Sequence, residues 1–176
     1  IEEFQGHSKE YTATLQLGAT TASYDMEHEV NAVYPTTGIT RERIEEVLAQ
    51  FVGDIQQVPP TYSACKVNGN RAYELRRKGR DVELAPKNIH IDAIDILGFD
   101  AGEMRLDIRV ACGKGTYIRA LARDIGRALG SGAYLTALCR TRVGAFRVED
   151  CIAFDSFAEW LDNQKIENNE EENKQI

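Results

Sequence analysis

The stretch Asn88–Gly126, NIHIDAIDILGFDAGEMRLDIRVACGKGTYIRALARDIG, decides the fold. NIHIDAIDILGF alternates apolar and polar residues for most of its length, and MRLDIRVAC, Met104–Cys112, does the same. A period of two puts one set of side chains on one face of a strand. The intervening DAGE, Asp100–Glu103, suits a hairpin turn. The period then changes. In TYIRALARDIGRALG, Ile118, Leu121, Ala122, Ile125 and Leu129 recur at helical spacing and form a candidate buried stripe. Arg119, Arg123 and Arg127, each four apart, form a row on another face. A hairpin running into a helix points to an α+β fold: a mixed, mainly antiparallel sheet with flanking helices.

Working outward, EYTATLQLG is alternating and β-branched, a strand ending at Gly18. The next segment, ATTASYDMEHEVNAVYPTTG, has no sustained period and reads as an irregular loop. Thr40 is placed to cap the helix RERIEEVLAQF, whose Ile44, Val47, Leu48 and Phe51 share a face. VGDIQQVPPTYSACKVNG reads as a short extended stretch and then a turn, punctuated by Pro59-Pro60 and Asn68-Gly69. NRAYELRRKG reads as a two-turn helix closed by Gly79. GAYLTALCRTRVGAFRV passes from a glycine turn into one or two strands, and Asp155 caps a last helix, SFAEWLDNQ. From Lys165 onward the chain is polar, and a frayed end is expected.

The 176 residues, 43% hydrophobic, suffice for one domain with a real core. No run of eighteen apolar residues occurs, so no membrane helix is expected. The beginning, IEEFQGHSKEY, has neither the basic nor the apolar part of a signal peptide and no methionine, as in a fragment or a processed product. Cys65, Cys112, Cys139 and Cys151 form no C-x-x-C pair, and His7, His28 and His90 are scattered. Neither a zinc site nor a disulfide framework is expected, and reduced thiols fit a cytoplasmic protein.

The net charge of −7 is unevenly distributed. Residues Lys66–Arg80 hold six Lys/Arg and one acid, Met104–Arg147 nine and two, while Glu159–Ile176 holds six acids and two lysines. Charge alone leaves two readings: a polyanion-binding face, or solvated faces neutralised by the acidic segments. The Gly113-Lys114-Gly115-Thr116 loop is not a nucleotide-binding P-loop, because Ile108 stands where that motif needs glycine. A basic loop at a helix N-terminus still suits phosphate. Arg119 lies in the first helical turn, where a cation is disfavoured and a carboxylate or phosphate partner is expected. Tyr11 follows Lys9 on one strand face among Ala13, Leu15 and Leu17, so plain core packing is also open to it. In QVPPTYSACKVNGNRAYELRRKG, Tyr62 and Tyr73 are interleaved with five basic residues, a pattern that suits unstacked RNA bases and phosphates.

Taken in order, KEYTATLQLGATTASYD, FVGDIQQVPPTYSACKVNGNRAYELRRKG and CGKGTYIRALARDIGRALGSGAYLTALCRTRVGAF resemble the bacterial tRNA pseudouridine synthase B family, with a weaker likeness after FRVEDCIAFDSF. The resemblance reaches about Asp162. It implies that residues 1–162 are the C-terminal part of a catalytic domain and 163–176 a disordered acidic tail. It implies an isomerase that converts the T-loop uridine (position 55) of tRNA to pseudouridine, cytoplasmic and without metal or organic cofactor. The implied partner is tRNA through its T-stem loop, with no obligate protein partner.

The resemblance also implies roles. Tyr11 would stack on the flipped uracil and assist loss of the C5 proton. Arg119 would pair with the nucleophilic aspartate. Tyr117 and Leu138 would line the base pocket, and Asp25 would position the loop beside it. Lys9, Lys66, Arg71, Tyr73, Lys114, Arg123, Arg140 and Arg142 would contact RNA. The family's nucleophile belongs to a Leu-Asp-Pro loop that precedes the Lys-x-Tyr strand, and no Leu-Asp-Pro occurs in this sequence. The chain by itself is therefore expected to be inactive. Gly113 replaces a serine of the family pattern, Cys139 the first of two arginines, and His28 a glycine. The alternatives are a non-catalytic structured-RNA-binding module and, less well supported, a protein-interaction domain.

Overall fold

A computed structural model describes residues 8–63, 66–67, 70–78 and 84–147. The chain divides into two compact units, Ile1–Ala145 and Phe146–Ile176. The expected boundary after residue 162, the last helix and the acidic tail lie outside the described residues, as do His7, Cys65 and Cys151.

Five strands make the main sheet of the first unit. They are β1 (Lys9–Leu17), β4 (Gly53–Gln57), β7 (Lys87–Asp100), β8 (Arg105–Cys112) and β9 (Ala133–Val143), in the order β9–β1–β8–β7–β4. Each ladder between these five is antiparallel. The hairpin expected from the sequence is β7–β8. Its turn is held by Asp100, whose Oδ1 accepts from the backbone N–H of Gly102 at 2.9 Å and of Glu103 at 3.0 Å. β1 lies between β8 and β9 and so is an interior strand of the sheet.

Among the described residues, three helices accompany the sheet: α1 (Arg41–Ala49), α2 (Ala72–Arg77) and α3 (Ile118–Ala128). Thr40 caps α1 as expected, its Oγ1 accepting from Arg43 N at 3.2 Å. α1 meets β7, α3 meets β1 and β9, and the two helices touch each other. Leu15, Ile91, Leu106, Ile108 and Val110 of the strands bury against Ile44 and Val47 of α1 and Leu121 and Ile125 of α3. The two periods read from the sequence thus meet in one core.

Two expectations are corrected. The segment 19–38 is not wholly irregular: β2 (Ala19–Thr21) and β3 (Val30–Val33) form a small antiparallel sheet. Strands of three and four residues are too short to establish a period. The arginine row on α3 is not uniformly solvated: Arg127 is exposed, whereas Arg123 is only 7% exposed. Its neighbour on that side is the segment after β4, whose carbonyls draw the guanidinium inward.

Among the described residues, two further two-residue strands, β5 (Lys66–Val67) and β6 (Asn70–Arg71), pair before α2. Phe146–Arg147, the described part of the second unit, is extended.

Candidate active site

The site grows from the first turn of α3. A cation there opposes the helix dipole by a few tenths of a kcal/mol, so Arg119 needs partners. It has three. Nη1 donates to Ser23 O at 3.1 Å, Nη2 donates to Tyr62 O at 2.6 Å, and Nε lies 3.8 Å from Asp25 Oδ2. A guanidinium carries five N–H groups. Two of these contacts are hydrogen bonds and the third is an ion pair.

Asp25 is itself fixed by its loop. Its Oδ1 accepts from Ser23 Oγ and from Glu27 N, the latter at 2.9 Å, and its backbone O accepts from Thr21 Oγ1 at 2.6 Å. Leu135 N donates to Tyr24 O at 2.9 Å, tying the loop to β9. Next to these, His28 Nδ1 lies 2.9 Å from Ser23 Oγ, and its ring is 4.7 Å from the ring of Tyr62. The histidine that replaces a glycine of the family pattern therefore joins the two loops whose carbonyls hold Arg119.

Asp25, Arg119 and Leu138, with Met26, Leu135, Thr136 and Ala137, line a cavity of ≈ 220 Å³. That is below the roughly 300–1,000 Å³ of pockets for drug-sized ligands and suits a single ring. Leu138 gives it an apolar wall that is 48% exposed. Tyr11 is beside it on the sheet. Tyr11 pairs with Arg140, and Ala13 with Leu138, so the four share one face of the β1–β9 ladder. A register shift falls between Glu10 and Tyr11, and such bulges re-aim a side chain. Burial pushes the Tyr11 hydroxyl above its usual pKa, with Arg140 opposing and Cys112 adding to the rise. Tyr11 is thus a neutral phenol at physiological pH. Burial likewise raises the Cys112 thiol, against the effects of Thr116 and Lys9, so it stays protonated and unreactive.

A larger cavity of ≈ 770 Å³ lies one turn further along α3, where Tyr24, Tyr34, Arg123, Asp124 and Arg127 are among its walls. It contains neither Arg119 nor Leu138. Size therefore does not mark the candidate active site; convergence of chemistry marks the smaller cavity.

The other expected residues are more dispersed. Tyr117 is the N-cap of α3 and is not among the residues lining the smaller cavity. Arg123 is turned inward: Nη2 donates to Val58 O at 2.7 Å, Nε to Asp124 Oδ1 at 2.9 Å, and its carbon Cζ is 5.6 Å from the Tyr24 ring centroid. Lys114 is exposed at the tip of the 113–116 loop, and Arg140 is exposed on β9. Arg142 Nη1 donates to Gly144 O at 2.8 Å and Ser8 Oγ at 3.0 Å. Lys9 opens β1 opposite Cys112 and Val143. Arg71 precedes α2 and is exposed. Lys66 and Tyr73 belong to β5 and α2, and their side chains lie outside the described residues.

The sequence reading missed Gln57. It is 2% exposed at the end of β4. Its Oε1 accepts from Tyr117 N at 2.9 Å and its Nε2 donates to Tyr117 O at 3.1 Å. The available signal was a glutamine two residues after the inward Ile55, just before two prolines.

This architecture is found in solved assemblies that contain Cbf5 or an H/ACA RNP. A Cbf5–Nop10–Gar1 complex matches with a TM-score of 0.62 and 25% identity, over 91% of this chain and 39% of that chain. An H/ACA RNP bound to a substrate RNA containing 2′-deoxyuridine has the same fold, at a TM-score of 0.59 and 23% identity over 93% and 38%. The family model for the TruB family pseudouridylate synthase N-terminal domain matches residues 1–118, and that for the tRNA pseudouridylate synthase B C-terminal domain matches 119–174. The chain belongs to the TruB family of pseudouridylate synthases. Among its relatives, the protein named tRNA pseudouridine synthase B in Bacteroides thetaiotaomicron is 62% identical over 98% of this chain and 73% of its own length. That of Phocaeicola vulgatus is 63% identical over 95% and 70%. The junction of the two family models falls between Ile118 and Arg119, inside α3. No helix among the described residues is long and apolar enough to cross a membrane.

Proposed function

We propose that this chain carries the base pocket and RNA-binding face of an enzyme that converts the T-loop uridine, position 55 of tRNA, to pseudouridine in the cytoplasm. The observation that carries the reading is Arg119, braced by Ser23 O, Tyr62 O and Asp25 at the wall of a one-ring cavity beside Tyr11, in a chain of this family.

The target uridine leaves its stack, at a cost of a few kcal/mol, and about 1–3 kcal/mol is regained by stacking on an aromatic ring. Tyr11 supplies that ring, and Leu138 closes the pocket. The bond from ribose C1′ to N1 breaks, the uracil turns, and C1′ bonds to C5. C5 loses its proton and N1 gains one, so the product is an isomer and no redox partner is needed. Tyr11, a neutral phenol and so a weak base, assists loss of the C5 proton as a relay: its oxygen takes that proton as its own hydroxyl proton passes to solvent. Arg119 offers its guanidinium to the nucleophilic carboxylate and holds it ionised. Asp25 organises the loop and is not that nucleophile: its Oδ1 is already held by Ser23 and Glu27 N. Lys9, Lys114, Arg140 and Arg142 contact the T-stem loop, as do Lys66, Arg71 and Tyr73.

The test is tritium release from tRNA transcripts carrying [5-³H]uridine, with this chain and with the same chain extended upstream of Ile1. Release by the extended protein alone, from position 55, supports the reading. Binding of tRNA with no release by either protein would make it an RNA-binding module. Release by this chain alone would place the nucleophile among these residues and overturn the account of Asp25.

A further inference from the structure

We infer that Gln57 is a positioning residue for Arg119, acting through the backbone of Tyr117. The inference rests on the catalytic reading of Arg119 proposed above. A fully buried amide is costly unless both of its halves are hydrogen-bonded. Gln57 meets that condition with one residue. It accepts from Tyr117 N and donates to Tyr117 O, as a neighbouring strand would. Tyr117 O also accepts from Leu121 N at 3.0 Å, the first bond of α3. Gln57 therefore holds the N-terminus of the helix from outside, where Tyr117 makes no side-chain cap of its own.

The contact belongs to a series. The segment that follows Gln57 supplies Val58 O to Arg123 and Tyr62 O to Arg119. Pro59 and Pro60 lie between these carbonyls, both buried, and their fixed φ stiffens the segment. Residues 57–62 thus grip α3 at Tyr117, Arg119 and Arg123. Two of these grips hold side chains, which can swing. The Gln57 grip holds the main chain two residues before Arg119 and so fixes where the arginine's Cα stands. A helix start that can slide would bring the guanidinium to the carboxylate out of register. A shift of about 1 Å can cost on the order of a hundredfold in rate.

No apolar residue can replace this function. Methionine has similar volume and would leave the Tyr117 N–H without its partner. Glutamate keeps an acceptor for that N–H but loses the donor to Tyr117 O. The order expected from the geometry is therefore glutamine, then glutamate, then methionine.

The experiment is a double-mutant cycle in the protein extended upstream of Ile1, measuring single-turnover pseudouridine formation and tRNA affinity. Variants are Gln57→Met, Gln57→Glu, Arg119→Lys and the combination of Gln57→Met with Arg119→Lys. Gln57→Met is expected to slow turnover on the order of tenfold to a hundredfold, with Kd for tRNA unchanged within about twofold. In the Arg119→Lys background the same change is expected to slow turnover by less than about threefold, because the group it positions is already gone. Full additivity overturns the inference, as does wild-type turnover of Gln57→Met or a rate loss matched by weaker tRNA binding. If Gln57→Met does not fold, Gln57→Glu carries the same comparison. Wild-type turnover of Arg119→Lys would overturn the catalytic reading and this inference with it; an impaired Arg119→Lys beside an unimpaired Gln57→Met overturns this inference alone.

Discussion

Gly126→Ala is the substitution for which the structure gives the sharpest expectation. Gly126 lies in α3 where the helix crosses the start of β9. A Cβ built there would stand 2.4 Å from Ala133 N, 2.5 Å from Gly132 C and 2.9 Å from Ala133 Cβ. Ordinary contact begins at 3.4 Å, so the helix must move away by about 1 Å. The obstacles are mainly backbone and cannot turn aside. Alanine is intrinsically better than glycine in a helix by about 1 kcal/mol. Overpacking a core costs about 1–3 kcal/mol, and a backbone obstacle puts this case at about 3. The net loss is therefore roughly 2 kcal/mol. With a urea m-value of about 2 kcal/mol/M, the unfolding midpoint falls by about 1 M. The displaced helix carries Arg119, so turnover should also fall, by up to about a hundredfold at temperatures where the variant is folded. Urea unfolding followed by circular dichroism, beside the tritium-release assay, reads both. A midpoint equal to or above that of the parent would refute the packing argument, because helix propensity alone predicts stabilisation.

Arg123→Met should lower stability by about 2–3 kcal/mol in urea unfolding, since it strips Val58 O and Asp124 of a buried charged donor. The same variant should leave the salt dependence of tRNA binding intact, whereas Arg140→Ala should lower the slope of log Kd against log salt by about one. Gly113→Ser should be neutral or slightly stabilising in thermal melts, because a Cβ there meets nothing closer than 3.7 Å; Gly115→Ala should cost about 1 kcal/mol, since φ at Gly115 is +79°. His90 has its pKa raised, first by the hydrogen bond from its Nδ1 to Asp54 at 2.7 Å, then by the charge of Asp54 and by Asp92. Its contribution to stability is complete below the unfolded value of 6.5 and is lost as pH rises through the higher folded value. Proton NMR of the imidazole should show the raised midpoint, and His90→Gln should remove that part of the pH dependence of Tm.

Much of the fold was legible in the sequence because long elements repeat their period. β1, the β7–β8 hairpin and α3 each run for eight residues or more, and each was found close to its observed limits. The Thr40 cap was legible because its chemistry is local. The short β2 and β3 were not, since their pairing depends on residues nine or more positions away. Arg119, Leu138 and Asp25, to which the family resemblance gives roles at the site, line one cavity. Gln57 and the inward turn of Arg123 were invisible for one reason: both depend on which segment crosses α3, sixty or so residues away in the chain. The family resemblance implied an RNA contact for Arg123, whose guanidinium is bonded to Val58 O and Asp124. Its long apolar stem let it be buried with its charged end still bonded.

The place of β1 in the sheet sets the timetable on which this protein can be made. Tyr11 pairs with Val110, and Thr12 with Cys139, about a hundred and about a hundred and thirty positions later. A ribosome adding roughly 5–20 residues per second needs roughly 6–25 s to go from the end of β1 to the end of β9. Until β8 is made this interior strand has two bare hydrogen-bonding edges, and one until β9 is made, with an apolar face carrying Ala13, Leu15 and Leu17. Such a strand is an invitation to wrong pairing. The nascent chain should therefore depend on chaperone cover until β9 is released, and slowing translation between β1 and β8 should lower the yield of folded protein.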